Sequence, residues 1–325
     1  MKTAVIYHYF EADEKYRENF VFFLNTAINE DSQYFIYISG ECSVPLPKFK
    51  NVSYFFIENK NNDFGGVVEF YQGRKYLNFD AYIFINSSTR GPFLLSTNRD
   101  PWQKLFICQL SHAVPLVGSS INLLPETSPQ SALFYQRHKL PAPHIHVQTT
   151  AYSLSAQGYK LLSDSGFFSQ RERLEKSEVI SDYEILMSQI IMKNGYQITS
   201  LLPTLENFSQ NHKHTNLPST SKNGDVLYKS AFYGRSISPF ESVFIKTNRD
   251  IISFRDLCSY TFTSLLSAQN NRSLDEEGKM LLEKVSHLIL NEELVFENIS
   301  ARKLIKSRLK NKARRLLGQK RTTTT

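Results

Sequence analysis

A chain of 325 residues with 41% hydrophobic and 21% charged positions, 24 Phe and 17 Tyr sits in the globular range, which excludes an extended disordered protein. Its three cysteines, Cys42, Cys108 and Cys258, are far apart and form no C-x-x-C, which excludes a disulfide framework and a cysteine zinc site and fits a reducing compartment. The net charge of +7 belongs to one end: residues 301–325 carry ten Lys or Arg and no acid, and without them 28 basic residues face 31 acidic ones.

The chain opens on a predicted strand, Thr3–Tyr9, which is too short and too soon followed by Glu11 and Asp13 to be a signal peptide. A helix is predicted over 18–28, with Phe22, Phe23 and Ala27 towards the core, then strands at 34–39 and 52–57. Residues 66–77 read as a helix, 82–86 as a short buried strand, 102–112 as a helix and 115–119 as a strand. This alternation predicts an α/β fold with a mostly parallel sheet, whose ligands bind where loops leave the carboxyl ends of the strands. Beyond it, Pro125, Pro129, Pro141 and Pro143 punctuate a looser stretch before a β-like run over 144–150. A helix is predicted over 181–194, ended by Gly195, a polar lid-like loop over 207–225, and helical periodicity over 254–290. No stretch approaches about eighteen consecutive apolar residues, so no membrane span is expected.

Two loops carry the densest chemistry. The segment from Asn59 to Gly66 follows a strand and opens a helix; its two glycines and free helix N–H groups suit an anion such as a diphosphate, while Asp63 equally suits a helix N-cap. The segment Asn86-Ser87-Ser88-Thr89-Arg90-Gly91-Pro92 ends a short apolar strand with small polar groups that can bind ribose or sugar and an arginine that can pair with phosphate. The same residues also make an ordinary turn held by Asx and Ser bonds. Ser181-Asp182-Tyr183-Glu184 has capping-box spacing. The pairs His144-x-His146 and His212-x-His214 put two imidazoles on one strand face, but no third ligand at regular spacing completes a metal site.

Taken in order, the strand, the Asn-x-x-x-Asp-Phe-Gly-Gly loop at 59–66, Tyr-Ile-Phe-Ile-Asn-Ser-Ser-x-Arg-Gly-Pro-Phe at 82–93 and Leu-Val-Gly-x-Ser-Ile-Asn at 116–122 resemble a family of bacterial and viral surface-polysaccharide glycosyltransferases. Further matches fall at His146-x-Gln148 and from Ile237-Ser-Pro-Phe-Glu241 into Phe244-Ile-Lys-Thr-Asn-Arg249, and the chain is more distantly similar to rhamnan-synthesis transferases. The likeness covers roughly residues 3 to 250 and implies a GT-A-like, Rossmann-type nucleotide-diphosphosugar core over 1–253; helical periodicity and charge add C-terminal helices over 254–300 and a basic tail over 301–325. It implies donor contacts from Tyr9, Asn59, Asp63, Gly65, Asn86, Ser88 and Arg90, with Lys246 and Arg249 on the diphosphate, and acceptor contacts from His146, Gln148 and Glu241. Glu184 would be the base that takes the acceptor proton in an inverting hexosyl transfer, with Asp63 and Glu241 in reserve. The chain departs from the wider class in having no Asp-x-Asp, the usual seat of Mg2+ or Mn2+, so a divalent cofactor is an open expectation and Asn86 to Ser88 occupy that place. Asn61 stands where related loops have glycine; Asn is the side chain best able to replace it in a left-handed conformation.

The tail, drawn as a helix, puts Ile305, Leu309, Ala313, Leu316 and Leu317 on one side and most of its cations elsewhere. Arg302, Lys303, Lys306, Leu309, Lys310, Arg314 and Leu317 are thus expected on an anionic membrane surface, since interspersed leucines serve a bilayer and add little to nucleic-acid binding. The expectation is a peripheral enzyme of the cytoplasmic membrane face. It takes a nucleotide-sugar donor, UDP-linked by preference, adds to a lipid-linked or cell-surface glycan such as an O-antigen or capsule, and binds no nucleic acid. The alternative is a non-catalytic scaffold of a polysaccharide-assembly complex.

Overall fold

The computed structural model describes residues 1–74, 78–95, 97–98, 100–169, 172–210 and 224–290. The basic tail and His212-x-His214 lie outside them. The first half runs β1 Thr3–Phe10, α1 Glu14–Thr26, β2 Ser32–Ser39, β3 Val52–Ile57, α2 Phe64–Arg74, β4 Ala81–Asn86, β5 Thr89–Arg90, α3 Gln103–Ile107 and β6 Leu116–Gly118. It continues with β7 Ile121–Leu124, α4 Pro129–His138, β8 His144–Val147, β9 Ala151–Ser155 and α5 Ala156–Asp164. Next come α6 Lys176–Val179, a π-helical turn Ile180–Ile185 and α7 Leu186–Lys193, which form one continuous rod, then β10 Ile198–Ser200, α8 Pro239–Ser242, β11 Ile245–Lys246, α9 Phe254–Asn271 and a last helix over 276–290.

The fold is α/β, with a seven-stranded sheet in the order β10-β6-β9-β4-β1-β2-β3. All its pairings are parallel except those of β9, which runs antiparallel between β4 and β6. β1 lies inside the sheet between β4 and β2, and seven of its eight residues are buried, as a strand covered on both faces requires. Its side chains alternate: Tyr7 and Tyr9 pack on Phe20 of α1, while the ring of His8 meets Gly66 of α2 on the opposite face. The chain builds β1, β2 and β3 outwards, then returns to place β4 on the other side of β1. The reversal makes β1/β4 a topological switch point, where the loops diverge and leave a crevice.

Several local expectations shift. The first helix starts at Glu14 because Asp13 caps it, accepting from the amides of Lys15 and Tyr16. The 102–112 segment is helical only over Gln103–Ile107. The periodic stretch 254–290 is two helices, parted near Arg272, whose guanidinium binds the carbonyls of Ile28 and Leu24 beyond α1 and at its end. The 181–194 helix begins five residues earlier, at Lys176, with Glu175 and Glu178 forming the capping box. Ser181 is therefore mid-helix and its hydroxyl has no partner among the described residues, so its Ser-x-x-Glu spacing caps nothing.

Candidate active site

A two-lobed cleft opens at the carboxyl ends of β1 and β4. The smaller lobe, ≈ 250 Å³, is bounded by His8 and Phe10 from the end of β1, Asn59, Asn62 and Asp63 from the β3–α2 loop, and the Asn86–Ser88 strand end. The larger lobe, ≈ 780 Å³, is bounded by His146 and Gln148 around β8 and by residues of the 225–250 segment. The lobes meet at a wall shared by Thr149, Lys176, Ile180, Glu184 and Lys246.

The β3–α2 loop is held by its two left-handed asparagines. Asn61 has φ +55°, the conformation expected of the residue replacing glycine, and Asn62 has φ +48°. The buried Asn61 amide donates to Glu172 O at 2.8 Å and accepts from Leu174 N at 2.8 Å, which clamps the loop to the segment leading into α6. Asp63 lies next to the switch point, its carboxylate accepting from Asn86 Nδ2 at 2.9 Å. Burial raises its pKa; the Asn86 bond opposes the rise. Asn86 is fully engaged: Nδ2 also donates to Thr149 O at 3.1 Å, and Oδ1 accepts from Ser88 N and Oγ at 3.1 and 2.6 Å. The Asx-type bonds of the turn reading are present, and Ser88 also borders the cleft.

Glu184 lies in the π-helical turn. A wider turn inserts one residue and re-aims the side chains that follow, a local irregularity common at functional sites. Here Ser181, Tyr183 and Ile185 turn into the core while Glu184 lines both lobes. Burial and the nearby Asp63 push its pKa up to about 7, against the attraction of Lys246. Such a carboxyl can accept a proton near neutral pH. Lys246 sits opposite Thr89 in the β5–β11 ladder, and burial together with Arg249 lowers its pKa. Arg249 pairs with Asp225 at 2.5 Å and lies over the Tyr228 ring at 4.4 Å.

Four residues drawn into the site by sequence lie elsewhere. Tyr9 is fully buried, stacks on Phe20 at 4.1 Å and donates to Glu11 at 2.7 Å. Arg90 is 2% exposed and binds Glu18 at 2.6 Å, Asn19 Oδ1 at 3.0 Å and Thr261 Oγ1 at 3.1 Å, tying β5 to α1 and α9. Glu241 caps α8 and holds Arg235 through two oxygens at 2.6 and 2.7 Å. Gly65 is required by packing: a Cβ there would sit 2.3 Å from Lys60 O. In their place the cleft takes His8, Tyr16, Lys176, Asp225 and Tyr228. His8 had a legible signal, since strand alternation puts it and Tyr9 on opposite faces. Asp225 had none, lying in a stretch whose composition reads only as loop.

The histidine pair on β8 is not a metal site. Both ring nitrogens of His144 are engaged, Nδ1 with Ser131 Oγ at 2.5 Å and Nε2 with Leu140 O at 3.0 Å. His146 is buried and kept neutral by burial, its pKa pushed down to about 4. A divalent ion fits the β4 strand end no better. The strand offers an amide and two hydroxyls, Asp63 is bonded to that amide, and the neighbouring wall carries the ammonium of Lys246. Among the described residues no group of three His, Cys, Asp or Glu converges as ligands.

No family model and no curated protein matches the sequence. Among solved structures, the chain is similar to the mannosyltransferase PcManGT from Pyrobaculum calidifontis in complex with GDP-Man and Mn2+, at TM-score 0.38 and 10% identity over 89% of this chain and 80% of that one. It is also similar to the galactosyltransferase LgtC with donor and acceptor sugar analogues, at TM-score 0.33 and 10% identity over 56% and 70% of the two chains. The bifunctional glycosyltransferase WbbM matches at TM-score 0.32 and 12% identity, over 60% of this chain and 37% of that one. Likenesses this distant carry no conclusion about chemistry, which rests on the cleft itself.

Proposed function

We propose that this chain is a glycosyltransferase that moves a sugar from a nucleoside-diphosphate donor, UDP-linked by preference, to a hydroxyl of a glycan or lipid-linked acceptor. The observation that carries the reading is the shared wall: Glu184, with a pKa near 7, and the cation Lys246 stand together where two polar lobes meet at the switch point of a parallel sheet. The donor takes the smaller lobe against Asn59, Asp63 and Ser88, and the acceptor takes the larger one against His146 and Gln148. Glu184 removes the proton as the acceptor oxygen bonds to the anomeric carbon. The bond from that carbon to the diphosphate breaks, and the diphosphate leaves with the electron pair. Displacement is direct, so the anomeric configuration inverts. Lys246, with Lys176 on the same wall and Arg249 in the larger lobe, balances the charge gathering on the leaving group. A fixed ammonium at this wall supplies what a divalent cation would.

The resemblance to surface-polysaccharide transferases and the basic, leucine-bearing tail support action on a cell-surface glycan at an anionic membrane surface. No helix among the described residues is long and apolar enough to cross a membrane. The test is a panel of UDP-, GDP-, dTDP- and CMP-sugars, read by thermal stabilisation and slow donor hydrolysis with and without EDTA. One nucleotide class should stabilise and be hydrolysed in both conditions. Silence from all donors on folded protein would instead favour the scaffold reading.

A further inference from the structure

One buried amide fastens the Lys246 side of the cleft without lining either lobe. Asn19 of α1 is 0% exposed, and both ends of its side chain are engaged. Its Oδ1 accepts from Arg90 Nε at 3.0 Å, while its Nδ2 donates to Ser87 O at 3.0 Å and to Thr247 Oγ1 at 2.8 Å. A guanidinium only donates and a carbonyl only accepts, so the amide has a single orientation. Thr247 then donates its backbone N–H to Ser88 O at 3.1 Å, with its hydroxyl 3.4 Å from the same oxygen. Asn19 thus joins two segments that reach the cleft separately. One is the end of β4, where Ser87 and Ser88 border the smaller lobe; the other is β11, which ends on Lys246 at the shared wall.

Lys246 depends on such a fastening. Its ladder with β5 is two residues long, and among the described residues its ammonium makes no hydrogen bond or ion pair. The backbone therefore sets where the charge sits, and the next residue on that backbone is Thr247. We infer that Asn19 is a positioning residue for sugar transfer, holding Lys246 at the shared wall through Thr247 and in register with the Ser87–Ser88 strand end. The inference rests on the glycosyl-transfer reading and adds a residue that touches neither substrate.

Glu184 reports on this link, because Lys246 favours its ionised form. Asp63, Tyr152, Asp225 and Arg249 also act on or face Glu184, and Lys176 shares its wall. His8 and His146, in the lobes to either side, are kept neutral by burial. Of the charged groups only Lys246 adjoins Thr247; Arg249, two residues on, has its own anchor in Asp225.

Thr247→Val cuts the link to Asn19 at nearly constant size, and Thr247→Ser keeps the hydroxyl. Both are made in the parent and in a Lys246→Met background, and folding is checked by circular dichroism. Hydrolysis of whichever UDP-, GDP-, dTDP- or CMP-sugar the parent accepts gives kcat, KM and the pH profile. Carbon-13 NMR of the Glu184 carboxyl, assigned with Glu184→Gln, follows its titration without turnover. Thr247→Val should lower kcat about five- to fifty-fold with donor KM within about three-fold, and should move the acid limb and the NMR titration up by about half a pH unit. Thr247→Ser should behave as the parent. Asn19→Leu should match or exceed Thr247→Val; if it fails to fold, the threonine pair decides. With Lys246→Met in place, Thr247→Val should change nothing further. An unmoved titration, or an equal loss with and without Lys246, overturns the inference. The expected titration in protein that hydrolyses no donor would leave the Asn19 link standing and defeat the transferase reading. Donor turnover with an unmoved titration would do the reverse.

Discussion

Phe64 and Tyr183 stack with ring centroids 4.6 Å apart and planes 16° from parallel. Asp63 precedes the first ring and Glu184 follows the second, so one buried stack sets the spacing of the two acids from different elements. Phe167 braces both rings edge-on at 6.3 and 5.4 Å. Aromatic pairs contribute about 0.5–1.5 kcal/mol beyond their burial. Tyr183→Leu should destabilise by about 1–3 kcal/mol and lower kcat more than it raises the donor KM, because it loosens the acids rather than removing a ligand contact. Denaturant melts and steady-state kinetics read this, and Tyr183→Phe, which keeps the ring but loses the hydroxyl's bond to Asn61, should cost less than Tyr183→Leu.

Glu184→Gln should abolish transfer by about 10²- to 10⁴-fold while the protein stays folded and binds donor. Product anomer analysis by NMR completes the check, since the base role requires inversion.

The same substitution should stabilise the protein at alkaline pH. A carboxyl raised from 4.5 to about 7 on folding holds its proton more tightly in the native state, so stability falls as pH rises through that window. Glu184→Gln removes the penalty. A gain on the order of 1–2 kcal/mol is expected at pH 8 and almost none at pH 4.5, measured by chemical denaturation.

Turnover should rise with pH along an acid limb near 7, because only ionised Glu184 accepts a proton. Asp63 raises that pKa and Lys246 lowers it, so Asp63→Asn should move the limb to lower pH and Lys246→Met to higher pH. A limb that stays fixed in both variants would remove Glu184 from the role of base.

Arg90→Met should act on folding. It removes one partner of Glu18, which keeps Lys284 at 2.7 Å, and the bonds to Asn19 and Thr261, a loss of about 1–3 kcal/mol. The fraction that remains folded should bind donor as the parent does.

The amino-acid sequence by itself determined the class of fold and two of the segments that line the cleft. Strand and helix periods, together with loops rich in Asn, Ser and Gly at strand ends, are local signals, so the parallel sheet and the 59–66 and 86–90 segments could be read before any contact was known. Even the left-handed Asn61 was legible, because its strain is a property of one residue. What tertiary structure alone decided is direction and company. Tyr9 and His8 are neighbours in sequence but face opposite sides of β1, and the packing of α1 and α2 assigned the first to the core and the second to the cleft. Arg90 carries the charge a phosphate would want, yet the approach of Glu18 and Thr261 from elements far away in the chain claimed it. The Ser-x-x-Glu spacing at 181–184 fits a cap until Lys176–Val179 is seen to extend the helix backwards, and Glu184 lines the cleft from a π-turn, not from a motif. These outcomes depend on contacts between residues tens to hundreds of positions apart, and no period or spacing records them.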